Sequence, residues 1–109
     1  MERAHGLPRS TMQVRDGSLR RDFEYEVWGV VVEVDGRLGH EGEHVAVDRR
    51  RDRRTAGRGR VTLRAGWFEV EGDPCDLAVD VVLALRARGA GVTARACGPG
   101  CSVSGVLAA

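Results

Sequence analysis

The architecture turns on Arg20-Arg21-Asp22-Phe23-Glu24-Tyr25-Glu26-Val27-Trp28-Gly29-Val30-Val31-Val32-Glu33-Val34-Asp35-Gly36. Val30 to Val34 is an almost continuous apolar run, as expected of a strand covered on both faces, and Asp35-Gly36 ends it. Leu19 to about Tyr25 reads as the strand before it. With Val27-Trp28 as a two-residue loop, Glu26 pairs with Gly29, Asp22 lies opposite Glu33, and Glu24 lies opposite Val31. Alternation then places Asp22, Glu24, Val31, Glu33 and Asp35 on one face. Phe23, Tyr25, Val30, Val32 and Val34 take the other, suited to packing under a helix.

Directly opposed carboxylates destabilise a sheet unless positive charge lies between them, and a buried, unpartnered Glu33 would be costly. Two remedies are open. A hard divalent cation, Mg²⁺ or Mn²⁺, would take oxygens from both Asp22 and Glu33. Alternatively, Asp22 pairs with Arg20 or Arg21, and Glu33 with an arginine of a nearby helix. A one-residue slip in register would separate the acids onto opposite faces.

Outward from the hairpin, Thr11 to Arg15 is a short strand closed by the turn signal Asp16-Gly17. Residues 36–44 read as a loop and Val45 to about Thr55 as a very basic helix, broken by Gly57 and Gly59. Val61 to Leu63 is a fourth strand, with Trp67, Phe68 and Val70 as apolar cover near the next turn. Asp73-Pro74-Cys75-Asp76 starts a helix with a capping acid and a first-turn proline. It runs from Pro74 to Arg88 with Leu77, Val81 and Leu85 on one face, and Gly89 stops it. Residues 1–90 form one domain, and residues 91–109, rich in Gly, Ala and Ser, are expected to be a loose tail.

The chain has 109 residues, 42% of them apolar and 5% aromatic, so one core built mainly of Val, Leu and Ala is expected. All 17 basic residues are arginine, which excludes a lysine base or Schiff base. No segment reaches the ~20 apolar residues of a membrane span, and a cytoplasmic location is expected. Arg49, Arg50, Arg51, Arg53, Arg54, Arg58 and Arg60 crowd a short stretch that also holds Asp48 and Asp52. The surplus positive charge suits DNA phosphates without reading sequence, although such runs are often only solvated faces. The odd cysteine count does not make a disulfide framework. Cys97 and Cys101 are two thiols in a tail, with Cys75 at a helix start elsewhere, so no four-ligand metal site is expected there. His44 is expected on the surface, and His5 carries no signal.

Gly6-Leu7-Pro8-Arg9, Asp22-Phe23-x-Tyr25, Val32-Glu33-Val34-Asp35-Gly36, His40, Asp48-x-x-Arg51-Asp52 and Gly66-Trp67, in this order, resemble a bacterial domain family related to very-short-patch-repair endonucleases. The resemblance spans about residues 6–88. It implies a restriction-endonuclease-like fold, an α/β domain with a mixed central sheet flanked by helices. It further implies Asp22 and Glu33 as Mg²⁺ (or Mn²⁺) ligands, with Asp35 in the place of the family's lysine and His40 as general base. Arg49, Arg50, Arg51, Arg53 and Arg54 would hold the DNA backbone. The family's helix ahead of Gly6, with its acidic residue, is expected to be missing. One sheet face near the first strands should then be poorly covered, or covered by a partner chain. The repair endonucleases' structural zinc is not expected, because Arg37 replaces a cysteine ligand. Two functions follow: a Mg²⁺-dependent DNA endonuclease, or a non-catalytic DNA-binding or antitoxin-like module of the same fold.

Overall fold

The computed structural model describes residues 2–15, 20–36, 50, 53, 54 and 56–107. The elements are α1 (Glu2–His5), β1 (Thr11–Arg15), β2 (Arg20–Tyr25), β3 (Val30–Asp35), β4 (Val61–Gly66), α2 (Trp67–Gly72), α3 (Pro74–Ala87) and α4 (Val103–Leu107). The strands form one sheet in the order β1-β2-β3-β4. β1–β2 and β2–β3 are antiparallel, and β3–β4 is parallel. The fold is thus mixed α/β. Parallel neighbours need a long crossover, and the segment between β3 and β4 provides it. Within it, Arg50, Arg53, Arg54, Ala56 and Gly57 are helical. Among the described residues, no helix is long and apolar enough to cross a membrane.

The hairpin register is the expected one, with Asp22 opposite Glu33 and Glu24 opposite Val31. Its connection is not. Glu26–Trp28 form a 3₁₀ turn closed by Gly29 in the left-handed conformation at φ 67°. The ladder therefore begins at Tyr25–Val30 rather than Glu26–Gly29. Four residues replace the expected two-residue loop without shifting the pairing, because Tyr25 and Val30 stay in step either way. Glycine is required at 29 on two counts. Its φ is positive, and a Cβ there would lie 2.9 Å from the Gly59 carbonyl oxygen.

Val30, Val32, Val34 and Ala65 on one sheet face meet Leu77, Ala78, Val81, Val82 and Leu85 of α3, all buried. α3 starts as its sequence dictates: the Asp76 amide donates to Asp73 Oδ1 at 3.1 Å, with Pro74 in the first turn. It ends at Gly89, φ 90°, where the Ala90 amide returns to the Leu85 carbonyl at 2.9 Å. α2 was expected only as a turn. The Glu69 carboxylate accepts the Gly66 amide at 3.3 Å and so tightens its first turn.

Residues 91–107 do not behave as a loose tail. Ala94, Cys101 and Val103 are buried, and the Arg95 amide donates to the His5 carbonyl at 2.8 Å. The Arg95 guanidinium donates to the Arg3 carbonyl at 2.8 Å. A short helix, α1, with acidic Glu2 precedes Gly6, where none was expected, and near β1 the apolar face is thinly covered. Met12 and Val14 are about half exposed, and a cavity of about 300 Å³ opens over Phe23, Val32 and Val34.

α1 is fastened by the chain's single tyrosine. Tyr25 is buried, and its hydroxyl donates to Glu2 Oε1 at 2.8 Å. Burial, then the hydrogen bond to Glu2, pushes its pKa above the ordinary tyrosine range. A raised folded-state pKa means that the neutral phenol's contribution is complete below the unfolded value, about 10, and is lost as pH rises beyond it. Tyr25→Phe should therefore cost about 1.5–3 kcal/mol at neutral pH and remove this part of the alkaline loss. Unfolding midpoints measured from neutral to strongly alkaline pH check both.

Candidate functional site

Three sets of chemically capable side chains emerge from the fold. The first lies on the sheet face opposite the valine core. β2 brings Arg20, Asp22 and Glu24 to it, β3 brings Glu33 and Asp35, and β4 brings Arg64, directly beside Glu33 in the parallel register. Glu33, Asp35 and Arg20 are buried at 3%, 8% and 8% exposure, depths at which an ionised group needs a partner. Arg64 Nη1 donates to Glu33 Oε1 at 2.6 Å. Arg20 reaches both acids, with Nε 3.3 Å from Asp22 Oδ1 and Nη1 3.8 Å from Glu33 Oε1. At the sheet's margin, Arg60 pairs with Glu24 at 2.6 Å.

The acids expected to share an ion thus share guanidinium groups. Asp22 takes Arg20, one of the two arginines the sequence offers it. Glu33 takes an arginine of the neighbouring strand, not of a helix as expected. For Mg²⁺ or Mn²⁺ this donor set is a poor fit. A hard cation would enter beside the buried Arg20 and half-buried Arg64 guanidinium groups and displace a 2.6 Å ion pair. Asp35 does not join Asp22 and Glu33 in a tight ligand cluster. Among the described residues, the one group of three or more ligand-type side chains with donors within 4.8 Å of each other lies elsewhere. His40, His44, Arg49 and Arg51 lie outside the described residues, as does position 37.

The second set is basic. Arg50, Arg53, Arg54, Arg58 and Arg60 are exposed. Arg58, Arg60 and Arg88 line an open cleft of about 550 Å³ with Trp28, at the turn end of the β2–β3 hairpin. Arg88 is fixed there by donating to the Trp28 carbonyl at 2.9 Å and to the Gly59 carbonyl. On the other side of the sheet, Arg21 stacks over Trp67, 5.0 Å from the ring centroid.

The third set was not expected. His5 at the end of α1, Cys75 in the first turn of α3, and Cys97 and Cys101 in the returning chain bring four donor atoms within 4.8 Å of one another. Cys75 Sγ lies 3.3 Å from Cys97 Sγ, and Cys101 Sγ lies 3.4 Å from His5 Nε2. The thiols divide in character. Backbone N–H groups, that of Cys97 first, lower the Cys101 pKa to about 6. Hydrogen bonding to Cys97 pushes Cys75 up to about 12. The Cys-x-x-x-Cys spacing was visible in the sequence. What it lacked was the return of the tail across α1 and α3.

No known protein family, curated protein or solved structure matches the chain.

The buried acid face yields a stability prediction. Glu33→Gln removes the anion and leaves Arg64 and Arg20 partly uncompensated, so it should cost about 3–5 kcal/mol. Arg64→Met in that background should recover part of the loss. Urea denaturation of the wild type and the two variants measures both effects.

Proposed function

We propose that this chain is a nucleic-acid-binding domain of restriction-endonuclease-like architecture that grips phosphate backbones through arginine and does not cut them. The observation that carries this reading is the use of the acid pair. Asp22 and Glu33 stand opposed on one face, as a nuclease site would require, but Arg20 bridges them and Arg64 clamps Glu33. The positive charge that such a pair needs is already part of the chain. An antiparallel hairpin followed by a crossover to a parallel strand supports the architecture.

Exposed Arg50, Arg53, Arg54 and Arg58 supply the binding side of the reading. Guanidinium groups engage phosphate oxygens in pairs, and the released counterions make such binding salt-dependent and indifferent to sequence. The same surface would serve an antitoxin-like regulator. The competing reading, a Mg²⁺-dependent endonuclease with Asp22 and Glu33 as ligands, is favoured by their shared face alone.

Fluorescence anisotropy with two unrelated DNA duplexes tests the proposal. Both should bind at low salt with similar affinity, and affinity should fall steeply between roughly 50 and 200 mM salt. Arg53→Ala with Arg54→Ala should weaken both duplexes alike and flatten the log–log salt slope by about 2. With Mg²⁺ present, the duplexes should stay intact. Absence of binding at low salt contradicts the proposal. So does Mg²⁺-dependent cleavage that disappears in a Glu33→Gln protein shown to be folded, which would establish the endonuclease instead.

A further inference from the structure

We propose that His5, Cys75, Cys97 and Cys101 bind one Zn²⁺ ion as a closed structural site that fastens both chain ends to the start of α3. This does not rest on the nucleic-acid reading, and either can fail alone. The donor set comes first. Three thiols and one imidazole are soft-to-borderline ligands that suit Zn²⁺ and not Mg²⁺ or Ca²⁺. A tetrahedral zinc with bonds near 2.3 Å to sulfur and 2.0–2.1 Å to nitrogen sets its ligand atoms about 3.4–3.8 Å apart. The donors here span 3.3 Å for Cys75–Cys97, 3.4 Å for Cys101–His5, and at most 4.8 Å for any pair. They need to move by only a few tenths of an ångström to about 1 Å to close on an ion.

Local geometry agrees. His5 is 1% exposed, deep for a histidine, and Cys101 is buried beside it, while Cys75 is half-buried and Cys97 exposed at the rim. Cys97-Gly98-Pro99-Gly100-Cys101 has the short ligand spacing of structural zinc sites. Gly100 at φ 77° and the Cys101 amide's bond to the Gly98 carbonyl at 3.3 Å turn the chain back on itself, which brings exposed Cys97 and buried Cys101 to the same cluster. Cys75 sits in the first turn of a helix capped by Asp73, on a rigid element.

A disulfide explains less. Cys75 and Cys97 are close enough to be oxidised to one, but that would leave Cys101 and the buried His5 converging on the same point without a reason. A metal accounts for all four. Four protein ligands leave no open position, so the site is structural rather than catalytic. Its ligands come from residues 5, 75, 97 and 101, so the ion would close loops across nearly the whole chain. Zinc binding is then coupled to folding.

The test uses the full chain, reduced and stripped of metal. Titration with Co²⁺ should give the strong visible bands of tetrahedral cobalt–thiolate coordination, saturating at one ion per chain. Zn²⁺ should bleach them, and the unfolding midpoint should rise with either metal. Cys97→Ser and Cys101→Ser should lose the spectrum. His5→Cys keeps four ligands and should retain an altered cobalt spectrum, which guards against loss of fold as the explanation. Two outcomes overturn the proposal: no cobalt–thiolate spectrum from wild type with all three thiols shown free, or a spectrum unchanged in both serine variants.

Discussion

A carboxylate sits where a valine belongs. Glu33 interrupts the most buried strand of the sheet, and its charge must be answered within the fold. The answer is Arg64, one strand away, and it works only in one register. Parallel pairing sets Glu33 beside Arg64, while Leu63 and Ala65 turn to the other face. A slip of one residue would bring Arg64 toward the valine core and expose Leu63. Electrostatics on one face and hydrophobic packing on the other therefore enforce the same alignment. Arg20 closes the arrangement from β2. Its planar, branched head reaches two carboxylates at once, which the point charge of a lysine does less well, and this chain has no lysine.

Arginine is used in the same way elsewhere. Arg88 ties the end of α3 to the hairpin turn and to Gly59, and Arg95 ties the returning chain to the carbonyls of α1. Each replaces a stretch of missing regular structure with several directed hydrogen bonds. With few aromatic residues, the core is made of small aliphatic side chains. Such polar clamps hold segments that hydrophobic burial alone would leave loose.

Much of the sheet was legible because alternation is a local property. Phe23, Tyr25 and the valines of β3 fix the core face, and the opposed acids follow once the hairpin is drawn. The 3₁₀ turn at Glu26–Trp28 was missed because a four-residue turn and a two-residue loop preserve the same pairing here. α2 was missed because Trp67-Phe68-Glu69-Val70 is too short to show a helical period. Arg64 was hidden for another reason: the register of a parallel pair depends on the crossover, not on the strand. The His5 and cysteine cluster was hidden more deeply. Its members come from the two ends and the middle of the chain, and only the path of residues 91–101 joins them. The Gly, Ala and Ser content of that path suggested looseness, whereas Ala94 and Cys101 are buried in the core.

Whether arginine or a metal ion holds the acid pair can be read directly with a paramagnetic probe. Mn²⁺ replaces Mg²⁺ at oxygen sites and broadens the NMR signals of nearby nuclei. If Arg20 and Arg64 neutralise Asp22 and Glu33, titration with Mn²⁺ should leave the resonances of Asp22, Glu33 and their strand neighbours as sharp as those of buried residues in α3. Saturable broadening centred on Asp22 and Glu33, abolished by excess Mg²⁺, would contradict that account and place a divalent ion between them.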